Sequence, residues 1–195
     1  LSQFDGVFRY SKVTGLIDNT DTSILSNITT LKVRKDFTPT LAASTKYNIY
    51  FRNALYNPHS GHNSADGGIL ESTGFKVSGD SSTVFFLDDD GAGNVRRYSF
   101  SGATRVYTAS NQGTIDYDTG AITINSLSVL SIENIRGEAS TKIELTVVPS
   151  SNDVVPVRDQ ILEIDTANSF ITVTADTFVG GSADAGVGYT TTTSY

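Results

Sequence analysis

The sequence predicts a mainly β protein of antiparallel hairpins and sheets, with a small α+β lobe at the N-terminal end and a short irregular helix near residues 11–25. Three observations carry this. Residues 114–125 read as two alternating runs around Asp118-Thr119-Gly120, with Ile115 and Tyr117 on one face and Ile122 and Ile124 answering them on the return. Residues 69–178 consist almost wholly of short alternating runs separated by turn residues. Only before residue 57 does a helix-like spacing intervene, at Val13, Leu16, Ile17 and Ile24.

Taken in order, residues 4–10 read as a short strand, and Ser11 as the N-cap of the helix that follows. Asp18-Asn19-Thr20-Asp21 interrupts that helix, giving one irregular helix or two short ones. Leu31, Val33 and Phe37 alternate with Lys32, Arg34 and Asp36, and Tyr47, Ile49 and Phe51 alternate with Asn48, Tyr50 and Arg52: two half-buried strands. Together these make a lobe over residues 1–57. Residues 58–68 form a linker rich in Gly, Asn and Ser. An antiparallel β domain then spans 69–178. Its expected strands include 83–87 and 95–100 around a long polar tip, 104–108 paired with the strand after it, the alternation of Ile143, Leu145 and Val147, and a hairpin of 160–164 with 170–173. Pro149 and Pro156 bracket a connection that cannot be a central strand. Residues 179–195, rich in Gly, Ser, Ala and Thr, read as a flexible tail.

Composition narrows the function. The 195 residues suffice for a real core, with 38% hydrophobic and 10% aromatic content. The absence of Cys excludes disulfides, thiolate metal sites and a Cys nucleophile. A formal net charge of −7 with scattered basic residues disfavours nucleic acid and anionic membrane as partners. No apolar run approaches the roughly 20 residues of a membrane span. Leu1 in place of an initiator Met and the lack of a visible signal peptide lead us to expect a piece of a longer protein.

Candidate sites are few. His59 and His62, three apart with Asp66 nearby, are two imidazoles and a carboxylate, short of a metal site; solvated loop residues explain them. Asp88-Asp89-Asp90-Gly91-Ala92-Gly93-Asn94 offers hard oxygens for calcium. With Asp88 and Asp90 as first and third ligands, however, Ala92 falls fifth and Ser99 twelfth, where the EF-hand needs Glu, so a polar hairpin tip is expected. Asp116 with Asp118, and Glu163 with Asp165, are i, i+2 acids better read as solvated faces than as a glycosidase pair. Lys32, Arg34 and Lys35, and Arg96-Arg97, read as edge protection, and Phe100, Tyr107 and Tyr117 as packing rather than base-stacking platforms. Neither Gly91-Ala92-Gly93 nor Gly180-Gly181 is a phosphate loop, because no Lys-Ser/Thr follows. The expectation is no catalysis, no cofactor and no metal.

Five phrases carry a family resemblance. They are Phe8-Arg9-Tyr10-Ser11-Lys12 leading to Leu16-Ile17-Asp18-Asn19; Leu31-Lys32-Val33-Arg34-Lys35; Asn57-Pro58-His59-Ser60-Gly61; Gly113-Thr114-Ile115-Asp116-Tyr117-Asp118-Thr119-Gly120-Ala121-Ile122; and residues 148–158. In their order they resemble the C-terminal part of the ring-forming baseplate wedge subunit of T-even-like contractile-tailed phages, related to the baseplate J proteins, in the version found in marine cyanophages. The resemblance implies a structural subunit of the virion tail baseplate, assembled in the host cytoplasm. Its implied partners are other copies of itself, paired within a larger ring around the tail tube, and other wedge proteins. It carries no catalytic residues to transfer. A β-sandwich tail adhesin holding a host glycan is the alternative, and a tail-associated hydrolase a third possibility.

Overall fold

The computed structural model describes residues 6–62, 68–156 and 161–175. It is mainly β, with one helix. The helix α1, Tyr10–Asp18, starts one residue before the expected N-cap. Ser11 lies inside it, and Arg9 at the N-cap makes no side-chain capping bond. The cap comes instead from far along the chain: the Tyr10 N–H donates to Asp153 Oδ1 at 2.9 Å, and Arg9 Nη1 pairs with Asp153 Oδ2 at 2.7 Å. The helix stops where the Asp-Asn-Thr-Asp run begins, leaving Ile24 outside. Asn19 Nδ2 and the Thr20 hydroxyl donate to the Gly15 and Leu16 carbonyls and satisfy its last turn. The strand expected over 4–10 reduces, within the described residues, to a two-bond bridge between Phe8 and Val154.

Among the described residues ten strands follow, all paired antiparallel. They are β1 (Val33–Phe37), β2 (Thr45–Tyr50), β3 (Glu71–Ser72), β4 (Phe75–Val77), β5 (Asp80–Asp89), β6 (Asn94–Ser101), β7 (Thr104–Asp116), β8 (Ala121–Leu127), β9 (Val129–Ile132) and β10 (Ile143–Val147). The strands β1, β10 and β3 form a small sheet, and the rest form a large one in the order β2-β8-β7-β6-β5-β4-β9. The two N-terminal strands thus join different sheets, β1 beside β10 and β2 beside β8. In the large sheet, β9 continues β8 across Ser128, with Ser126 at a left-handed φ of 48° marking the bend. Because β9 also pairs with β4, the chain leaving β8 beside one edge of the sheet goes on to form its opposite edge. Ser78 and Ser128 stitch that seam through backbone and hydroxyl bonds of 2.9 Å each.

The hairpin of β7 and β8 is as expected. Ile115 faces Ile122, Gly113 faces Ile124, and the three isoleucines are buried. Gly120 closes its turn at φ 68°, with its carbonyl accepting from the Phe51 N–H at 2.8 Å. The rest of β7 departs from expectation: it pairs with the preceding strand β6 over 104–109 and again at Gly113 and Thr114, and with β8 only over 113–116. Register shifts in the β6–β7 ladder let one 13-residue strand serve two neighbours. No strand forms over 161–164 or 170–173; these residues have no regular structure beyond a turn at 166–168. The same buried cluster takes in Phe75, Leu87, Val95, Ile124 and Val129 of the large sheet and Ile143, Leu145 and Val147 of the small one. Each such side chain contributes on the order of 1.5–3 kcal/mol by leaving water.

Candidate functional site

The acidic run ending β5 is the densest polar cluster of the described residues. Alternation along the strand sends Asp88 and Asp89 to opposite faces, and Asp90, past the strand end, turns into the tip. Asp88 and Asp89 have no exposed surface, which corrects the expected polar tip: β5 extends through Asp89, and the tip is only residues 90–93. Asp88 lies on the face of the large sheet that carries Arg96, Arg105 and Tyr107. Its Oδ1 accepts from Arg96 Nε at 2.9 Å, and its Oδ2 from Arg105 Nη1 and the Tyr107 hydroxyl at 2.8 Å each. Burial pushes the Asp88 carboxyl up, against the opposing pull of Tyr107, Arg96 and Arg105. Asp89 points the other way. Its Oδ1 accepts the Ile69 and Leu70 N–H groups at 2.7 and 2.8 Å; its Oδ2 accepts the Gly91 N–H at 3.2 Å and the Tyr117 hydroxyl at 2.6 Å. Burial and the Asp89 hydrogen bond drive the Tyr117 phenol far above its ordinary range. Asp90 alone behaves as a turn residue, accepting from the Ala92 and Asn94 N–H groups and from Asn94 Nδ2.

The histidine loop docks on this tip. The Gly91 carbonyl accepts from the Gly61 N–H at 2.9 Å and from Asn57 Nδ2 at 3.3 Å. A Cβ on Gly91, which holds a φ of 71°, would stand 1.9 Å from the His62 carbonyl oxygen. His62 Nδ1 lies 3.1 Å from His59 Nε2 with the rings edge to face, and Tyr56 packs on His62 at 5.5 Å. The structure therefore sets the loop of His59 and His62 against the tip that carries Asp90, while Asp88 stays within β5. Among the described residues, no group of three or more His, Asp or Glu side chains could hold a metal ion; Asp66 lies outside those residues.

Asp116 is a turn acid, with Oδ1 accepting the Asp118 and Thr119 N–H groups. Phe86, Tyr98, Phe100 and Tyr107 form a ladder of rings 5.4–5.7 Å apart. The guanidinium of Arg96 sits 4.2 Å over Tyr107, and that of Arg105 sits 4.6 Å over Tyr98, on ring faces a sugar would need.

A second feature escapes sequence reasoning altogether. A groove of about 2130 Å³ runs between residues 23–35 and 161–175, lined by Ile17, Leu25, Ile28, Leu31, Ile164 and Phe170 among others. Its rim is apolar and open to water: Ile28 is 100% exposed, Phe170 88% and Val173 88%. The sequence predicts a hairpin over 160–164 and 170–173 and singles out no groove; only tertiary structure shows that nothing among the described residues covers Ile28, Phe170 and Val173.

Residues 1–36 match the family model of baseplate structural protein gp6, C-terminal domain III. Comparison with curated proteins and with solved structures finds no match. The matched stretch includes α1, one wall of the groove and most of β1. It supports a phage baseplate structural role, and with it a place in the virion tail and association with other baseplate components.

Proposed function

We propose that this chain is a non-catalytic structural subunit of the baseplate wedge of a contractile phage tail, assembled in the host cytoplasm, and that copies pair with one another in building the ring around the tail tube. Other wedge proteins meet its remaining faces. The exposed apolar rim of the groove carries this reading. Monomeric soluble proteins rarely leave large contiguous apolar patches in water, and such patches mark association surfaces. Here the patch includes Leu25 and Ile28 from the very stretch that matches a baseplate domain, across the groove from Ile164, Phe170 and Val173. The described acids support the non-catalytic part of the proposal, since Asp88, Asp89, Asp90 and Asp116 are engaged in holding backbone, Arg and Tyr donors.

Sedimentation velocity over a micromolar concentration series tests this. Wild-type chain is expected to form a dimer or larger species as concentration rises. Ile28→Asp is expected to shift the equilibrium to monomer without altering thermal stability, because the side chain makes no buried contact. A wild-type chain that stays monomeric throughout overturns the self-association.

A further inference from the structure

Residues 161–175 lie against the body in an unusual way. All are exposed except Leu162 and Asp165, which are half-buried. Their backbone bonds, Thr166 N–H to Ile164 O and Asn168 N–H to Asp165 O, are internal. Among the described residues, no backbone hydrogen bond joins the segment to the rest of the chain. A polar latch connects it instead. Arg34 Nε on β1 pairs with Asp165 Oδ2 at 3.0 Å, and Arg136 Nη1 donates to Asn168 Oδ1 at 2.8 Å. The same two arginines bind Glu144 of β10, so the latch is seated on the small sheet. The Asn168 side-chain hydrogen bond, helped by the Arg34 and Arg136 charges, holds the Asp165 carboxyl below its ordinary range against the opposing desolvation. Meanwhile Phe170, Ile171 and Val173 face water beside the unfilled groove.

A segment that spends its polar residues on attachment and its apolar ones on solvent is built to cover something else. We infer that residues 161–175 are an exchangeable arm, which latches onto β1 of a second copy and there replaces that copy's own segment as the second wall of its groove. The inference rests on the self-association proposed above and names its device. The occupant is a second copy because the recognition chemistry is already complete within one chain. Asp165 and Asn168 on the arm complement Arg34 of β1 and Arg136, and every copy carries both halves. An exchanged pair keeps each latch bond and brings the exposed apolar residues of two copies together, at little cost beyond ordering the arm.

A charge-swap pair tests the exchange. Arg34→Glu sets a carboxylate against Asp165 in every contact the variant makes with itself, and Asp165→Arg sets a second guanidinium against Arg34. Mixed together, the two restore opposite charges only between different molecules: the native Arg34 and Asp165 meet in one latch, and the two substituted side chains meet in the other. The expected result in sedimentation and native mass spectrometry is loss of dimer for each variant alone and recovery of a one-to-one heterodimer in the mixture. Because Arg34→Glu also removes a partner of Glu144, a second measurement uses the otherwise native, cysteine-free chain. Thr30→Cys and Ala167→Cys, mixed as separate molecules and treated with a short bismaleimide, are expected to cross-link to each other, while Gly102→Cys mixed with Ala167→Cys is not. If wild type dimerises but neither the charge swap nor the Thr30–Ala167 pair joins different molecules, the arm stays home: the exchange is overturned and self-association stands. If wild type is monomeric, both fall.

Discussion

Three consecutive aspartates do three different jobs, and their predicted sensitivities differ accordingly. Removing the Asp89 carboxylate strands the Ile69, Leu70 and Gly91 N–H groups and the Tyr117 hydroxyl in a buried place. Asp89→Ala is expected to cost about 3 kcal/mol or more, against about 1 kcal/mol for Asp90→Ala at the tip, read from urea unfolding. Acid stability depends on a different residue, Asp80. The Thr83 backbone N–H, with the Thr83 and Ser82 side chains, lowers its carboxyl from an ordinary 3.8 to about 2. A carboxylate depressed on folding lends stability that is complete above the unfolded value and fades as pH falls through the folded one. The Asp80 contribution is therefore full above about pH 4 and gone once the pH has fallen below about 2. Asp80→Asn is expected to lose less stability than wild type over that window, measured as urea midpoints at its two ends. Asp90 was legible as a turn acid because its partners, Ala92 and Asn94, are local. The burial of Asp88 and Asp89 was not, because the groups that neutralise or satisfy them stand 8 to 28 positions away, at Arg96, Arg105, Tyr107, Ile69, Leu70 and Tyr117.

At the scale of elements, what was local was readable and what was tertiary was not. The β7–β8 hairpin announces itself through alternation and a glycine at the turn, and its pairing of Ile115 with Ile122 follows. Gly120→Ala is expected to destabilise by about 1–3 kcal/mol, seen as a lowered thermal midpoint. The new methyl would meet both a left-handed backbone and the Asn53 carbonyl oxygen at 2.4 Å. Helix α1 shows the opposite case. Its start is fixed by Asp153, 143 positions away, so Ser11 looked like the cap and was not. The residues around 161–173 have the alternation of strands yet form none, since alternation states which residues could share a face and says nothing about whether a neighbouring strand is there to receive them.

At the scale of the molecule, the two sheets share one buried cluster to which Ile49, Phe51 and Leu55 contribute alongside Ile124, Leu127 and Leu145. Residues on both sides of the 58–68 segment are therefore expected to unfold together. A calorimetric enthalpy equal to the van't Hoff enthalpy, with coincident transitions by circular dichroism and tyrosine fluorescence, is the check; two resolved transitions would refute it. The antiparallel class was legible because periods of two recur along the whole chain. Strand order was not, since nothing local records that β1 seeks β10. That pairing has a consequence for biosynthesis. Arg34 and Glu144, which bind across it, are 110 positions apart, so β1 leaves the ribosome long before its neighbour is translated. For that interval the nascent chain carries an unpaired, half-apolar strand that any other strand can claim, and a message cut short before Ile143 would release it in that state permanently.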